Sequence, residues 1–524
     1  MSGDELPKVS SIIARHRRFG GGGNAVRVLP QPQPEPEPAP APEPQALTAS
    51  NDIGAPILNP NAPMDNAKEF ARRHCYMNDV CIVWYWQGQF WRWNGKFYTA
   101  QDIEETEGQV WKFLDSALRW AAKGQTDRFQ PTERHVKGVL AALKACLALG
   151  KGCQPPIWLG TRRPARDWIA FRNGVVNVLT GEMREADADL WVQSALQFDW
   201  DPNAECPRWV QFLEEAFPGD DESKQFTEEW MGYCMTEETR FQKAAMFVGE
   251  RRSGKGTITH VLRQLVGAAG YVSLSFDTWT ATENSRAPMI GKRVGVFPDV
   301  RFKEGRAYGS SYDPGGINHV SAGLLLNITG EDPLTLGRKN IGAWEGQLRV
   351  KLMLLSNRVL NFNDPGGVLP SRFIKLHFGV SFAGREDPYL KDRLFGELSG
   401  IAARCVIAYQ RLCKRGRFVQ PASGEALERA VLAASDPFTA MALECFEPDP
   451  MGSVVKSSAY GRFERWCGEN RRSDIMVPPN KFGEALRAVP GFEHINGNHR
   501  PTDPMTGKQG ARVWLGLRIR RGDA

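Results

Sequence analysis

The chain has 524 residues, of which 42% are hydrophobic and 24% charged, as in a soluble globular protein of about three domains. No apolar run approaches the roughly 18 residues of a membrane helix, and the N-terminus lacks the apolar core of a secretory signal, so we expect a cytoplasmic protein with no membrane partner. Ten cysteines without a CxxC pair argue against a zinc module, and a net charge of only +6 argues against a basic nucleic-acid coating protein.

The first 50 residues are predicted to form a disordered arm. Proline occupies nearly every second position of residues 29–45 (LPQPQPEPEPAPAPEPQ), and a run of four glycines precedes it at 20–23. Because proline has no backbone N–H and fixes its own φ, such a stretch joins neither a helix nor a sheet and forms an extended spacer.

Residues 51–240 are predicted to form a mixed α/β domain. The aromatic-rich stretch 81–98 is interrupted by Gln-Gly and Asn-Gly pairs, which is typical of β-hairpins. Its tryptophans and tyrosines either pack a sheet face onto helices or stack on nucleic-acid bases, and the pattern leaves both interpretations open. The other predicted elements are a helix over 133–150 that ends at Gly150, a hairpin over 173–182, and two helices within 206–236.

The segment 241–425 alternates apolar runs with helical patterns, which predicts a parallel β-sheet with helices on both faces. Its first strand, KAAMFVG (243–249), leads into the loop GERRSGKGT, and an apolar helical pattern follows as far as Gly267. A strand, a glycine-bearing loop and a helix N-terminus aim backbone N–H groups and the helix dipole at phosphate oxygens. We therefore predict nucleotide binding by Gly249, Glu250, Arg251, Arg252, Ser253, Gly254, Lys255, Gly256 and Thr257.

Within this loop, Lys255 is expected to reach the β- and γ-phosphates of ATP, and Thr257 is expected to help hold Mg²⁺. Gly256 stands where the general pattern has Ser or Thr directly after the lysine. Small nucleotide kinases also have the sequence GKGT, so the loop alone does not separate a kinase from an ATP-driven motor.

Three later residues are predicted to complete a catalytic site with Lys255. Asp299 ends the apolar run in GKRVGVFPDVRF, where an acid can hold Mg²⁺ and help to polarise the attacking water. Asn357 ends the strand VKLMLLSN and is placed to orient that water. Arg372 begins a strand in LPSRFIKLHF and is suited to neutralise transition-state charge. Each residue alone also suits an ordinary strand end, but the four in this order favour an ATPase.

These segments resemble the superfamily 3 helicase domain of phage, plasmid and poxvirus primase–helicases, and are nearest to the C-terminal half of satellite-phage-type primases. The resemblance also rests on LLLNITGEDPLTLGRKN (324–340), SFAGREDPYL (381–390) and ELSGI (397–401). Residues 173–236 are similar to the domain that precedes the motor in those proteins, and 430–524 to their winged-helix ending. The chain departs from the family pattern at Arg358 and Leu360, and near Arg404, where an aromatic residue is expected.

The resemblance implies an α/β protein with an AAA+-like P-loop NTPase core, a mixed α/β domain before it and a small winged-helix domain after it. It implies an ATP-dependent DNA helicase, with ATP and Mg²⁺ as cofactors, that takes part in the replication of a phage, prophage or plasmid. The expected partners include replication proteins of the host or of the element. In the family, the phosphate-loop lysine, strand-end acid, sensor asparagine and arginine finger fall on Lys255, Asp299, Asn357 and Arg372. The finger acts on the neighbouring subunit of a homo-hexamer. Arg338 and Lys339 match a basic pair on a hairpin that faces the DNA channel.

The tail, 430–524, contains helical patterns at 458–470 and 480–489 and an apolar strand at 511–519. A winged helix there would contact DNA, with single strands and an origin duplex as expected partners, whereas a packing or partner-binding domain is the alternative. The basic residues that would make such contacts are Arg462, Arg465, Lys481, Arg487, Arg500, Lys508 and Arg512.

Two other functions remain open from the sequence. An ATP-regulated origin-binding or assembly protein needs the phosphate loop and the tail but not the arginine finger. A nucleotide kinase would account for GKGT alone. No primase activity is predicted, because the DxD motif from Asp187 to Asp189 lies in a polar connection without flanking strands.

Overall fold

The structure is a computed structural model that describes residues 54–150, 153–281, 283–300, 319–338, 341–360, 362, 368–501 and 509–520. The predicted arm, Lys339 and Lys508 lie outside these residues. Within the described ranges, no helix combines the length and the apolar character needed to cross a bilayer.

The N-terminal group of elements combines three helices with short antiparallel strands. Its elements are α1 (Pro63–His74), β1 (Tyr76–Met77), β2 (Val80–Cys81), β3 (Val83–Trp86), β4 (Gln89–Trp93), β5 (Tyr98–Gln101), α2 (Ile103–Asp115), β6 (Leu118–Trp120), β7 (Thr126–Arg128), α3 (Glu133–Cys146), β8 (Ile157–Trp158), β9 (Arg163–Pro164), β10 (Trp168–Phe171), β11 (Gly174–Asn177), β12 (Met183–Arg184) and β13 (Leu190–Trp191). The strands pair as β3-β4-β5, β13-β8-β9, β10-β11-β12, β1-β2 and β6-β7.

The aromatic stretch 81–98 forms the predicted hairpins, and both faces of its sheet are packed. Trp86 and Trp91 lie with their rings 5.2 and 6.2 Å from the ring of the fully buried Trp191. On the other face, Val83 and Phe90 join a core that includes residues of α1, α2 and α3. The packed interpretation is therefore confirmed, with the addition that one face packs on β13 rather than on helices.

The predicted end of helix α3 was wrong by four residues. The helix ends at Cys146 instead of Gly150 because the chain leaves it to pair with β3. The carbonyl of Leu147 accepts a hydrogen bond from the Tyr85 N–H at 2.7 Å, and the N–H of Leu149 donates to the Tyr85 carbonyl at 2.9 Å.

The central group contains the longest helices and a five-stranded sheet. Its elements are α4 (Pro207–Ala216), α5 (Asp221–Met235), β14 (Ala244–Gly249), α6 (Lys255–Gly270), β15 (Tyr271–Ser273), α7 (Phe276–Ala281), β16 (Val294–Phe297), α8 (His319–Gly330), β17 (Pro333–Arg338), β18 (Ile341–Gln347), β19 (Lys351–Ser356), α9 (Val368–Arg372), β20 (Phe373–Phe378), α10 (Leu390–Gly396), α11 (Leu398–Arg415) and α12 (Glu425–Ser435). The predicted helices within 206–236 are α4 and α5.

Five of these strands form an all-parallel sheet in the order β15-β16-β19-β14-β20. Alternate residues of β14 face opposite cores: Phe247 belongs to the core that contains Trp209 and Trp230, and Met246 belongs to the core that contains Trp279. Both faces are thus covered by helices, which is why the strands are continuously apolar in sequence. The prediction of a parallel sheet covered on both faces is confirmed.

Helix α6 also differs from its predicted end. Gly267 has φ 70° and ψ 160°, which interrupts the regular helix where the sequence predicted its end, but the helical chain resumes up to Gly270. The positive φ is available to Gly267 because it has no Cβ.

The C-terminal group follows without a long connection. Its elements are α13 (Pro437–Cys445), β21 (Phe446–Val455), α14 (Lys456–Glu469), α15 (Pro479–Arg487), β22 (Asn496–His499) and β23 (Val513–Ile519). The strands form an antiparallel sheet in the order β21-β23-β22, and the helices share one core with it. The two helices and the last strand lie where the sequence predicted them.

Candidate nucleotide-binding site

The loop 249–254 joins the central strand β14 to the N-terminus of α6. Gly254 precedes the helix with φ 92°, and a Cβ atom there would lie 3.2 Å from the Phe212 ring. A Cβ atom at Gly249 would lie 2.2 Å from the carbonyl oxygen of Phe378. Both positions therefore require glycine, one for its backbone conformation and one for the close approach of β20.

Lys255 folds back over this loop. Its Nζ donates to the carbonyl oxygens of Gly249 and Glu250 at 2.7 and 2.6 Å and to the Ser253 Oγ at 3.0 Å. The side chain is largely buried, with Lys255 only 8% exposed. Burial lowers the pKa of Lys255, and the nearby Asp299 carboxylate opposes that shift. The lysine is thus a buried cation whose hydrogen-bond partners are neutral oxygens.

The carboxyl ends of the parallel strands bring Asp299 and Asn357 to the same edge of the sheet as the loop. Ser356 of β19 is in register with Val248 of β14, so Asn357 follows beside Gly249. Asp299 comes two residues after β16, and the N–H of the next residue, Val300, donates to the Leu355 carbonyl at 2.8 Å. Both Asp299 and Asn357 are exposed at this edge.

Arg372 lies at the opposite edge of the sheet. It is the last residue of α9, and β20 begins with Phe373 in register with Ala244, the first residue of β14. Six residues of β14 at about 3.3 Å each separate the two edges by roughly 17–20 Å. Arg372 donates from Nη1 to the Gln242 Oε1 at 2.8 Å. Within one chain, Arg372 therefore does not share a site with Lys255.

Arg338 lies at the end of the hairpin that β17 forms with β18, in register with Ile341. The hairpin is anchored by the buried side chains of Leu336 and Trp344, which join the core on one face of the sheet. Arg338 is partly exposed, whereas Lys339 lies outside the described residues. The predicted hairpin is thus present at Arg338.

A second segment supports the phosphate loop and was not assigned a role from sequence. The N–H of Phe382 donates to the Arg252 carbonyl at 2.9 Å, and the Ser381 Oγ donates to the Arg251 carbonyl at 3.3 Å. Arg252 also forms an ion pair with Glu386. Ser381, Phe382 and Glu386 belong to the segment SFAGREDPYL (381–390). The resemblance of this segment to the helicase family was the only feature of the sequence that indicated a role for it.

Two other sequence features serve the fold in the structure. The Asp189 Oδ1 accepts a hydrogen bond from the Gly160 N–H at 2.6 Å, and the Asp187 Oδ1 accepts one from the Asp189 N–H at 2.9 Å, so both stabilise a turn. Arg404 forms an ion pair with the buried Glu228, with Nε 2.6 Å from Oε1.

The carboxyl edge thus combines groups suited to a polyphosphate. The first amides of α6 have no partner within the helix and carry the positive end of its dipole. A buried lysine, an exposed carboxylate and an exposed amide lie beside them. A phosphate group can replace the neutral oxygens that now accept from Lys255 and gain from its full charge.

Comparison with known proteins identifies two similarities. A family model described as "D5 N terminal like" matches residues 67–218, under a third of the chain, and its matched range ends just after α4. The A form apo structure of the NrS-1 C terminal region is 11% identical, covers 87% of this chain and 100% of its own, and has a TM-score of 0.47. Another apo structure of the NrS-1 C terminal region has the same identity and coverage and a TM-score of 0.49.

Proposed function

We propose that this chain is an ATP-dependent DNA helicase that acts as a ring in the replication of a phage, prophage or plasmid. The observation that carries the proposal is the buried Lys255 at the carboxyl edge of a parallel sheet beside Asp299, where its hydrogen-bond acceptors among the described residues are neutral oxygens. In open α/β sheets, ligands bind outside the carboxyl ends of the strands.

ATP fits the residues at this edge. Lys255 would exchange its bonds to Gly249 and Glu250 for bonds to the β- and γ-phosphates, and the amides that begin α6 would hold the remaining oxygens. Thr257 and Asp299 would hold Mg²⁺, and the bound ion would neutralise charge on the phosphates. Asn357, exposed beside Gly249, would orient the attacking water.

The place of Arg372 supports a ring. An arginine that stabilises the transition state has to touch the γ-phosphate, and the two edges of the sheet are too far apart for that within one chain. A second copy that apposes its amino edge to the carboxyl edge of the first would supply Arg372. The sheet order β15-β16-β19-β14-β20 and the anchored hairpin with Arg338 are also consistent with a helicase ring, in which Arg338 and Lys339 would contact the phosphates of a single DNA strand.

Two further functions remain as alternatives. An assembly protein that uses ATP only to set its oligomeric state would bind ATP at Lys255 without needing Arg372. A kinase would need an acceptor site for a nucleoside monophosphate beside the γ-phosphate, and it would not depend on DNA.

The test is the Lys255→Ala variant, with Lys292→Ala as its matched control because the Lys292 Nζ also donates to a backbone carbonyl, that of Ala269. We expect the unsubstituted chain to hydrolyse ATP faster with single-stranded DNA and to displace an annealed strand. Lys255→Ala should lose both activities and Lys292→Ala should retain them. Strand displacement by Lys255→Ala would refute the proposal, and ATP hydrolysis that never responds to DNA would favour an alternative.

A further inference from the structure

Two residues in contact beside the amino edge of the five-stranded sheet have a left-handed backbone, although neither is glycine. Gln242, two residues before β14, has φ 51°, and Glu331, between α8 and β17, has φ 67°. A residue with a Cβ atom is strained in this region, and such strain persists where surrounding contacts impose it, often at functional sites. The Gln242 Nε2 donates to the Gly330 carbonyl at 3.3 Å and lies 3.5 Å from the Glu331 Oε2. Two strained residues therefore meet at one contact.

Further hydrogen bonds hold both residues in these conformations. The Gln242 N–H donates to the Thr239 carbonyl at 2.9 Å, and the Thr239 Oγ1 donates to the Glu331 Oε1. The Gln347 Nε2 donates to the Glu331 carbonyl at 2.6 Å. Glycine would adopt either conformation without the clash of a Cβ atom. The two side chains are thus retained against a cost in conformational energy, and what they contact distinguishes them from simple turn residues.

The Gln242 side-chain amide joins Arg372 to the turn at Glu331. Arg372 has only donors, so the amide atom that lies 2.8 Å from its Nη1 is the oxygen, and the amide nitrogen faces Gly330 and Glu331. One orientation of the amide therefore satisfies both sides at once. Because bonded groups in such a chain polarise one another, loss of either side weakens the hold on the other.

The backbone beside Arg372 is fixed independently of this amide. The Lys243 Nζ donates to the carbonyl of Ser371, the residue before Arg372, at 2.6 Å. Release of Arg372 from Gln242 is therefore a change of its side-chain rotamer and needs no movement of α9.

The turn at Glu331 is also the root of the hairpin that carries Arg338. Residues 330–332 join α8 to β17, and Gln347, which donates to the Glu331 carbonyl, is the last residue of β18 and pairs with Pro333. Arg338 ends β17, roughly 17 Å from Pro333. Because paired strands move as a unit, a load on the Arg338 end of the hairpin reaches the turn at Glu331.

We propose that Gln242 and Glu331 are positioning residues that hold Arg372 away from ATP until a DNA strand loads the hairpin. Displacement of the hairpin root withdraws the acceptors of the Gln242 amide, and the amide then turns and frees Arg372 to reach the γ-phosphate bound by a neighbouring copy. Relief of the left-handed strain at the two turns favours the released state. The proposal rests on the proposed function for the roles of Arg372 and Arg338. It adds the residues through which DNA at the hairpin controls hydrolysis.

The main test is Glu331→Gly, which removes the carboxylate and fits φ 67° without strain. The experiment measures ATP hydrolysis by the full chain with and without single-stranded DNA. The rate without DNA should rise by about fivefold, since a hydrogen bond that supports the held state is lost, while the rate with DNA stays within about twofold. Stimulation by DNA should therefore fall by the same factor. Unchanged stimulation, or an equal fall of both rates, would overturn the proposal.

Arg471→Gly is the matched control, because Arg471 has φ 53° and lies between α14 and α15 in the C-terminal group. It relieves the same kind of strain in another part of the chain, so both rates should remain those of the unsubstituted chain. Glu331→Gln keeps an acceptor for the Thr239 hydroxyl and should restore most of the stimulation that Glu331→Gly loses. A raised DNA-free rate in Arg471→Gly, or no rescue by Glu331→Gln, would mean that the contact with Gln242 is not responsible.

A double variant distinguishes positioning from a general loss of stability. Because Glu331 acts through Arg372, Glu331→Gly should leave the residual rate of an Arg372→Ala chain unchanged, with or without DNA. If Glu331→Gly changes that rate as much as it changes the rate of the unsubstituted chain, Glu331 acts elsewhere and the proposal is wrong.

The outcomes also separate this proposal from the proposed function. Hydrolysis that depends on Lys255 and responds to DNA, together with an unaltered response in Glu331→Gly, would overturn the positioning role and leave the proposed function standing. Hydrolysis that never responds to DNA in the unsubstituted chain would remove the proposed function itself, and the positioning role with it.

Discussion

The two edges of the five-stranded sheet both carry cations, but the partners of those cations differ. At the carboxyl edge, Lys255 donates to backbone and hydroxyl oxygens of its own loop. At the amino edge, Arg293 is paired with Glu237 at 3.0 Å, and the Lys351 Nζ, 2% exposed as a residue, donates to the Thr236 carbonyl at 2.5 Å. Arg372, also at the amino edge, donates to the neutral amide of Gln242.

This difference separates cations that hold the fold from cations that are free to take a ligand. A cation paired with a carboxylate loses much of its attraction for a phosphate, because its charge is already neutralised. A cation bonded to a neutral oxygen can exchange that bond for a charged one where a ligand can reach it, which burial does not allow for Lys351. By this criterion Arg372 belongs with Lys255 and not with Arg293, although it lies at the other edge.

The largest effect is expected from Arg372→Ala. Loss of an arginine that stabilises phosphoryl-transfer charge should lower ATP hydrolysis by about 10³-fold or more, while ATP binding stays nearly unchanged because Arg372 is remote from the loop of its own chain. Rates of hydrolysis and equilibrium binding of ATP measure the two effects. Arg429→Ala is the control, since Arg429 is exposed and pairs with Glu425.

Mixing two inactive variants tests whether Arg372 acts on a neighbouring copy. In a mixed ring of Lys255→Ala and Arg372→Ala chains, some interfaces join an intact Lys255 to an intact Arg372. Part of the ATP hydrolysis should therefore return on mixing. No recovery in rings that demonstrably contain both chains would contradict the assignment of Arg372 across a subunit interface.

The next effect concerns Arg293, which the comparison assigns to the fold. Arg293→Ala leaves Glu237 largely buried without its cation, and breaking a buried pair costs about 3 kcal/mol or more. Urea unfolding should show this loss, whereas Arg429→Ala should change the free energy of unfolding by under about 1 kcal/mol. A loss as small as that of the control would mean that Arg293 does not hold this edge together.

The distinction between the edges was only partly predictable from sequence. The phosphate loop, Asp299 and Asn357 were identified because each follows an apolar strand, and parallel strands bring their carboxyl ends to one edge. The partners of Arg372 and Arg293 lie 130 and 56 positions away along the chain, and no local pattern reports such pairs.

Local sequence patterns also did not predict which residues pack against the phosphate loop, nor where some helices end. A Cβ atom at Gly254 would meet Phe212 because α4 shares a core with the sheet, and α3 ends at Cys146 because β3 is available to pair with the chain that follows. Both depend on tertiary packing, which overrides local propensity. The boundaries predicted at 240 and 430 stay predictions, although α4 and α5 share a core with the sheet.

Lys351 tests the amino edge through pH. Burial lowers the pKa of Lys351 to about 8 from 10.5, with Cys234 and Glu237 opposing the shift. Below pH 8 the lysine is charged in both the folded and the unfolded chain, and its charge destabilises the fold by roughly 3 kcal/mol. Between pH 8 and 10.5 the folded chain loses the proton first, so stability relative to a variant without this group rises with pH.

Lys351→Met is the reference for that measurement. The free energy of unfolding of the unsubstituted chain, minus that of Lys351→Met, should increase by roughly 3 kcal/mol from pH 7 to pH 10.5. Taking the difference removes the titration of cysteines and tyrosines common to both chains. A difference that stays constant with pH would show that Lys351 is not a buried charge at this edge.

The smallest effect, and the most direct test of the comparison, comes from changing the partner of Arg372. Gln242→Glu replaces a neutral acceptor at 2.8 Å with a carboxylate and so turns Arg372 into a paired cation like Arg293. We expect ATP hydrolysis to fall by about tenfold, since about 1.4 kcal/mol of added pairing has to be broken before Arg372 can reach a phosphate. Added salt should restore part of the rate in Gln242→Glu only, because salt screens an exposed ion pair.

Gln242→Asn, which keeps a neutral amide, should stay within a few-fold of the unsubstituted rate. If Gln242→Glu hydrolysed ATP normally, the partner of Arg372 would not determine whether it is available, and the contrast between the two edges would lose its functional meaning.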